Sequence, residues 1–524
     1  MKRILSLLFC GLLLFSACVT AHAAETEPPF EAVICNDDSG LAVTGAVPEQ
    51  SDEGATAVPK IEIDTVDGNG AILQKEDGYV NAQISITDTD GSALSGAVQF
   101  KVRGNSTAIA SIPKKGFTFK FAKKTDVLGM GKGKKWALLA NCFDPTLLRN
   151  YLMFNLADKL GLPYVSRQKF VELWLDGSYR GTYTVTVPVQ AGADRINIDD
   201  NYDDSNIKDF LVEIEATRVD EGTTYFTSNG LRFAAQEPDE PDETQLAYIQ
   251  GVMDDITGAI MNGTREEIEA KIDMPSFVAY YVFNEFVKTV DLDFSSAFFF
   301  YKDGKLYAGP PWDYDFAMAG GSPTATPVYR KAALTDGPYA NDKQLFKYLC
   351  KQDWFMEQAN QVYQDNYSHF YNVGREGGFL DTNAAEYADV FNRNYTQTEW
   401  RITTRWINYA GLRLPTYQEN LDFLKNWCNA RSLWMTAYFK PFNGEYLIGD
   451  ADGNSEVDVI DATIVQRIQA LSMTDEDGMI SLRGDIELNG LDVTDATWIQ
   501  KYDAMIEIPY HIGVPRTYEE SKDN

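Results

Sequence analysis

The sequence predicts an α+β domain followed by a small all-α, EF-hand-like module. Three observations predict it. Polar and apolar residues alternate from Lys60 to Phe121, as in YVNAQISITDTDG and GAVQFKVRGNST, which calls for strands joined by turns. Residues 345–435 carry apolar and aromatic side chains at helical spacing. Near the C-terminus, GDADGNSEVDVIDATIVQRI from Gly449 and GDIELNGLDVTDATWIQKY from Gly484 are two copies of one loop-and-helix unit.

Lys2 and Arg3, the apolar run from Ile4 to Phe15 and the small residues Ala21-His22-Ala23 read as a secretory signal over 1–23. A spanning helix needs about 20 apolar residues, and no later segment has them. A lipobox-like Phe15-Ser16-Ala17-Cys18 is the competing reading of this stretch. Residues 24–58 are acidic, small and dotted with Pro, as expected of a flexible leader. TLLRNYLMFNLADKLGL (146–162) predicts a helix stopped at Gly161. FVELWLDGSYRGTYTVTVPV (170–189) predicts a hairpin turning at Asp176-Gly177, and AFFFYKDGKLYA (297–308) a second turning at Asp303-Gly304. Between them, the polar EPDEPDETQ (237–245) is a break, followed mostly by helix to about Lys288. The main domain is placed at 59–442, the repeat module at 443–510 and a tail at 511–524.

The chain has 77 acidic and 46 basic residues, a net charge of −31. Such a surface repels nucleic acid and anionic membranes and suits cations or a salty extracellular medium. Beyond residue 23 only Cys35, Cys142, Cys350 and Cys428 remain, without C-x-x-C spacing, so neither a zinc knuckle nor a dense disulfide scaffold is indicated. One or two disulfides stay open. Only His369 and His511 remain as well, leaving Ser-His-Asp and multi-histidine zinc chemistry almost nothing to work with. Catalysis here must rest on carboxylates, Lys, Arg or a hard metal ion.

In the first repeat Asp450, Asp452, Asn454, Asp458 and Asp461 occupy positions 1, 3, 5, 9 and 12 of a twelve-residue loop. That oxygen spacing surrounds Ca²⁺, with the Glu456 carbonyl at position 7 as a further ligand. The second loop is one residue shorter, with the deletion after Gly490; its aligned ligands are Asp485, Glu487, Asn489, Asp492 and Asp495. The segment resembles a type I dockerin, a calcium-dependent module that plugs an enzyme into a cohesin on a cellulosome scaffoldin. The resemblance implies cohesin contacts through the pairs before each final loop Asp, here Val459-Ile460 and Val493-Thr494.

In the main domain FKVRGNST (100–107), PKKGFTFKF (113–121), KKWALLANCFDPTLLRNYL (134–152), FVELWLDGSYRGTY (170–183), DRINID (194–199), NEFVKTVDLDFSSAFFFYKDGKLYAGPPWDYDFAMAGG (284–321) and NARSLWM (429–435) resemble, in order, the CotH kinase family. Its members are atypical, protein-kinase-like phosphotransferases, some of them inactive. The resemblance implies ATP with Mg²⁺ or Mn²⁺ and a protein hydroxyl as acceptor. In kinases a catalytic Asp is followed five residues on by a metal-binding Asn and, after a hairpin, by a second Asp. By that resemblance Asp291 is the base, Ser296 stands at the Asn position, and Asp313 with Asp315 binds the metal. Arg103, Lys115 and Lys120 are the candidates to reach the phosphates, with surface basic residues on an edge strand as the alternative. Glu213 or Glu215 is expected to pair with one of those lysines; Trp136, Arg149 and Trp434 read as packing residues. Three positions depart from the pattern: Ser296, Thr289 in place of Asn, and Val187 where the family commonly carries Glu. The competing functions are an inactive pseudokinase serving as a binding or adhesion module and, third, a glycoside hydrolase. Asp313 and Asp315 are too close in sequence to span the latter's cleft unaided.

Overall fold

The computed structural model describes residues 57–517 except 203–205, 220–221, 405–406, 408–409, 440–444, 474, 476–478 and 488–489. The signal, nearly all of the acidic leader, Cys35 and Asn489 therefore lie outside the described residues.

The alternating N-terminal segment forms a closed barrel. Its strands are β1 (Lys60–Thr65), β2 (Val80–Thr87), β3 (Ala93–Arg103), β4 (Gly116–Asp126), β5 (Lys132–Leu139), β6 (Gln168–Leu175) and β7 (Ser178–Thr186), in the order β1-β2-β3-β4-β5-β7-β6. Neighbours are antiparallel except β1 and β6, which close the barrel in parallel. Side chains two apart share a face, so Ile61 and Ile63, Ile84 and Ile86, Phe100 and Val102, and Phe117 and Phe119 all turn inward onto Trp136, Leu173 and Tyr183. The helix expected over 146–162 is α1 (Arg149–Lys159). Its expected first turn is instead a loop on Asp144, whose carboxylate accepts the N–H groups of Thr146 (2.9 Å) and Arg149 (2.7 Å).

A second, antiparallel sheet combines β8 (Phe210–Ile214), β9 (Tyr225–Ser228), β10 (Leu231–Glu237), β11 (Ala297–Lys302) and β12 (Lys305–Pro311) in the order β12-β11-β8-β10-β9. Between its halves run α2 (Glu243–Asn262), α3 (Arg265–Lys271) and α4 (Met274–Val287). Capping boxes at Asp242/Gln245 and Thr264/Glu267 start the first two. MPSFVAYYVFNEFV in α4 is apolar almost all round, and accordingly the helix is buried on nearly every face. Lys288 ends it in a left-handed turn (φ +48°), with its buried ammonium donating to the carbonyls of Leu334 (2.8 Å) and Asp336 (2.6 Å). The helical region follows as α5 (Pro327–Ala333), α6 (Phe346–Leu349), α7 (Asp353–Asp365), α8 (Tyr367–Tyr371), α9 (Phe379–Glu386), α10 (Ala388–Thr396) and α11 (Tyr417–Tyr438). Arg431 of α11 and Glu285 of α4 form a fully buried ion pair at 2.7 Å.

The C-terminal module comprises β13 (Glu445–Leu447), α12 (Val459–Gln469), α13 (Met479–Gly484), α14 (Val493–Asp503) and β14 (Pro515–Thr517). Its own core includes Ile448, Val465, Ile486, Ile499 and Ile512. β14 pairs antiparallel with β13, so the stretch set apart as a tail from 511 returns to close the module. Cys142, Cys350 and Cys428 are free thiols, so no disulfide forms among the described residues. No helix of the described residues is long and apolar enough to cross a membrane.

Candidate functional site

Trp312 to Asp315 follow β12 as a turn in which Asp313 takes a left-handed φ of +63°. Two helices hold this turn. Asn150 of α1 accepts the Tyr314 N–H (2.9 Å) and donates to the Asp315 carboxylate, while the Tyr314 hydroxyl donates to Asn284 of α4 (2.9 Å). Arg149, read from sequence as packing, makes a buried ion pair with Asp144 (2.5 Å) and donates to the carbonyls of Ala317 (3.0 Å) and Met318 (3.2 Å). Gly320 is required here: a Cβ would meet the carbonyl oxygen of Asp315 and that of Ala317 (2.9 Å). Asp315 is thus buried, whereas Asp313 reaches solvent.

Asp291 lies on a single 3₁₀ turn (Val290–Asp293) that α4 delivers, with Thr289 as its cap. Ser296, the residue before β11, takes φ +60° and donates its N–H to Glu213 of β8 (2.6 Å). Gln236 holds the other Glu213 oxygen (2.8 Å), and Arg218 bridges Glu215 (2.5 Å) and Glu213 (3.6 Å). Glu213 and Glu215 thus pair with Arg218 and not with the expected lysine. Arg103, at the end of β3, lies over the Trp312 ring (5.1 Å) with its charge towards Asp313 and Asp315; its buried Nη1 has no hydrogen-bond partner.

Carboxylates outnumber guanidinium groups here, and the acidities follow. Burial, then the charge of Asp313, pushes Asp291 up to about 8. Although Asp313 reaches solvent, desolvation on its protein side raises it too, with Arg103 and then Arg218 pulling the other way. Asp315 is well above the usual carboxylate range through burial and Asp313, and Glu213 rises to about 7, chiefly through burial. A donor set of hard oxygens short of positive charge fits a small divalent cation, and the unpartnered Arg103 nitrogen fits an anionic group beside it.

The three basic candidates part company. Lys115 is engaged elsewhere, donating to the carbonyls of Ala108 (3.1 Å) and Ile109 (2.5 Å). Lys120 approaches the Tyr79 ring (5.9 Å), which Lys101 covers more closely (4.5 Å), and Tyr79 in turn senses the charge of Arg103. Lys101 was not singled out from sequence, although it shares a strand face with Arg103 two residues on. Asn150 was also missed, and nothing local to it signals its task. Val187 is buried and apolar.

In the C-terminal module Asp450, Asp452 and Asp461 are buried, each with one oxygen within 4.8 Å of the others; they are the one such carboxylate group among the described residues. Backbone N–H groups hold them: Asn454 and Ser455 donate to Asp450 (both 2.9 Å), Asp452 and Asp458 to Asp461 (3.1 and 2.8 Å). Asn454 accepts from Glu456 N–H (2.6 Å), and Asp458 caps α12 through Ile460 N–H (2.6 Å). Burial and mutual repulsion raise Asp452 to about 7 and Asp461 to about 9.

The second loop is built alike, but Asp495 takes its N–H from Ile486 (2.8 Å), the second loop residue instead of the third. Asp492 donates its N–H to Asp495 (2.7 Å), Gly490 donates to Asp485 (2.8 Å), and Glu487 accepts the Tyr510 hydroxyl. Losing one residue thus shifts the ring and turns position 3 towards Tyr510. Val459, Val493 and Thr494 are exposed at the starts of α12 and α14, whereas Ile460 packs against the main-domain core.

None of the curated proteins compared with this chain matches it. A family model described as CotH kinase protein matches residues 100–435, from within β3 to within α11. That span includes Arg103, Asp291, Asp313 and Asp315, and the chain belongs to the CotH kinase family.

Proposed function

We propose that the main domain is a metal-dependent phosphotransferase acting on protein hydroxyls, and that the C-terminal module is a calcium-loaded dockerin carrying it on a cohesin. The observation that supports this best is Arg103, its unpartnered nitrogen set beside Asp313, with Asp291 facing the same carboxylate. ATP with Mg²⁺ or Mn²⁺ supplies the phosphoryl group and neutralises its charge. Asp313 and Asp315, with the Ser296 hydroxyl, would hold the cation, and Asn150 keeps the Asp315 carboxylate aimed. Arg103, with Lys120 and Lys101 further along the same face, draws the phosphates. Asp291 orients the acceptor hydroxyl and takes its proton once the neighbouring negative charge is offset.

Asp450, Asp452, Asn454, Asp458, Asp461 and the Glu456 carbonyl would hold Ca²⁺ in the first loop. The net charge of −31 and the basic-then-apolar N-terminus support a secreted protein at the cell surface or on a cellulosome. A pseudokinase is the second reading, favoured by the buried Val187 where a Glu is common.

Transfer of labelled γ-phosphate from ATP to a hydroxyl acceptor is the test. Transfer with Mg²⁺ or Mn²⁺ that Asp291→Asn abolishes supports the enzyme; nucleotide binding without transfer to protein or peptide hydroxyls establishes the pseudokinase. Cohesin capture that persists in EDTA would overturn the dockerin reading.

A further inference from the structure

Asp450, Asp452 and Asp461 in the first loop of the C-terminal module are buried, although Ser455 and Glu456 of the same loop are exposed. Asp450 and Asp452 are 4% and 2% exposed, while their counterparts Asp485 and Glu487 stay half-exposed. What covers them comes largely from the main domain. Tyr363 of α7 and Tyr367 and Tyr371 of α8 sense the charge of Asp452, and Tyr367 that of Asp450 as well. The Tyr371 hydroxyl, on a side chain 3% exposed, stands against the Asp452 carboxylate without a hydrogen bond of ordinary geometry to it. The buried Tyr367 hydroxyl has no hydrogen-bond partner either. Arg483 of α13, also buried, lies on Gly453, where a side chain would collide with its guanidinium, and it faces Asp450 and Tyr363. Arg375 stacks on the outer face of Tyr371 (4.0 Å). Ile460, next to the final loop carboxylate, is partly buried and packs against both the main-domain core and the module's own.

An acidic loop closed over by a neighbouring domain's buried phenols is more than a solvated turn. Unpaired buried hydroxyls beside carboxylates are costly unless something completes the cluster. Resting on the calcium reading above, we propose that the first loop is a joint site of the two domains: Tyr371 positions Asp452 for the cation, and loading the loop fastens the module onto α8. Binding and docking then strengthen each other by the same factor. The fastened helix is next to the machinery, since Phe370 of α8 packs on Phe286 of α4 (5.2 Å), the helix that delivers Asp291.

The experiment titrates Ca²⁺ into the full chain by calorimetry and follows amide exchange of α8 with and without the ion. Tyr371→Phe, a conservative change, is compared with wild type, and Tyr367→Phe serves as the second variant. The expected result is a roughly tenfold loss of calcium affinity in Tyr371→Phe, as for a hydrogen bond to a charged group that forms when the loop is loaded and that Phe cannot make, a smaller loss in Tyr367→Phe, and α8 exchange slowed by Ca²⁺ in wild type. Calcium binding that Tyr371→Phe leaves unchanged, or α8 exchange indifferent to Ca²⁺, overturns the joint site while leaving the loop's calcium role standing. No calcium binding by the wild-type chain overturns both.

Discussion

Arg149→Met is expected to cost about 3–5 kcal/mol, the range for removing one partner of a buried ion pair. Arg149 and Asp144 are both almost fully buried and 2.5 Å apart. The substitution keeps the aliphatic volume but leaves the Asp144 carboxylate without its counter-charge. It also strips the donors from the carbonyls of Ala317 and Met318. Asp144 retains the hydroxyl and N–H of Thr146 and the N–H of residue 149, which keeps the loss within that range. Urea unfolding of the main-domain transition, followed by tryptophan fluorescence, measures it. Adding Asp144→Asn to Arg149→Met should recover part of the loss, because the stranded charge is then gone. A loss below about 1 kcal/mol, the scale of an exposed pair, would refute the reasoning.

Three further outcomes are expected. Gly320→Ala should destabilise the domain and weaken nucleotide binding together, since the new Cβ meets the backbone oxygens of Asp315 and Ala317 and Arg149 Nε (3.0 Å); unchanged stability would show that the turn can give way. Burial lowers Lys114 from 10.5 to about 7, so its charge costs most below that value and the cost fades as pH rises from 7 to 10.5; Lys114→Met should therefore gain on wild type as the pH falls, and a stability difference that is flat with pH would contradict this. Asp452 and Asp461 are raised from 3.8, so without calcium the module should lose stability as pH climbs from about 4 to about 7 through Asp452 and on to about 9 through Asp461, with no further loss above, and Ca²⁺ added at the upper end should restore it; thermal unfolding in EDTA and in Ca²⁺ from about pH 4 to about pH 9 checks both directions.

Local pattern made much of the fold legible. Period-two alternation marked β1 to β4, Asp-Gly pairs marked the two hairpins, and the duplicated DAT helices marked α12 and α14. Closure of the barrel was not legible, because the parallel pairing of β1 with β6 joins segments about a hundred residues apart and leaves no local trace. The return of β14 to β13 rests on three residues, too few to show a period. At the site the two aspartates of the 313–315 turn stood out because carboxylates rarely end an apolar run. Asn150 did not, since on an apolar helix it looks like any polar surface residue. Lys101 was recoverable: Arg103 lies two residues on along β3, and the register Gln99↔Lys120 puts Lys120 beside the same face. Lys115, outside the regular part of β4, has no such phase to fix its direction.

Calorimetric titration of ATP with Mg²⁺, then Mn²⁺, into the full chain beside Asp313→Ala tests the central claim most directly. Saturable, metal-dependent binding that is lost in Asp313→Ala is the result expected if Arg103, Asp291, Asp313 and Asp315 form a nucleotide–metal cleft. No binding with either metal, or binding that Asp313→Ala leaves intact, would contradict it.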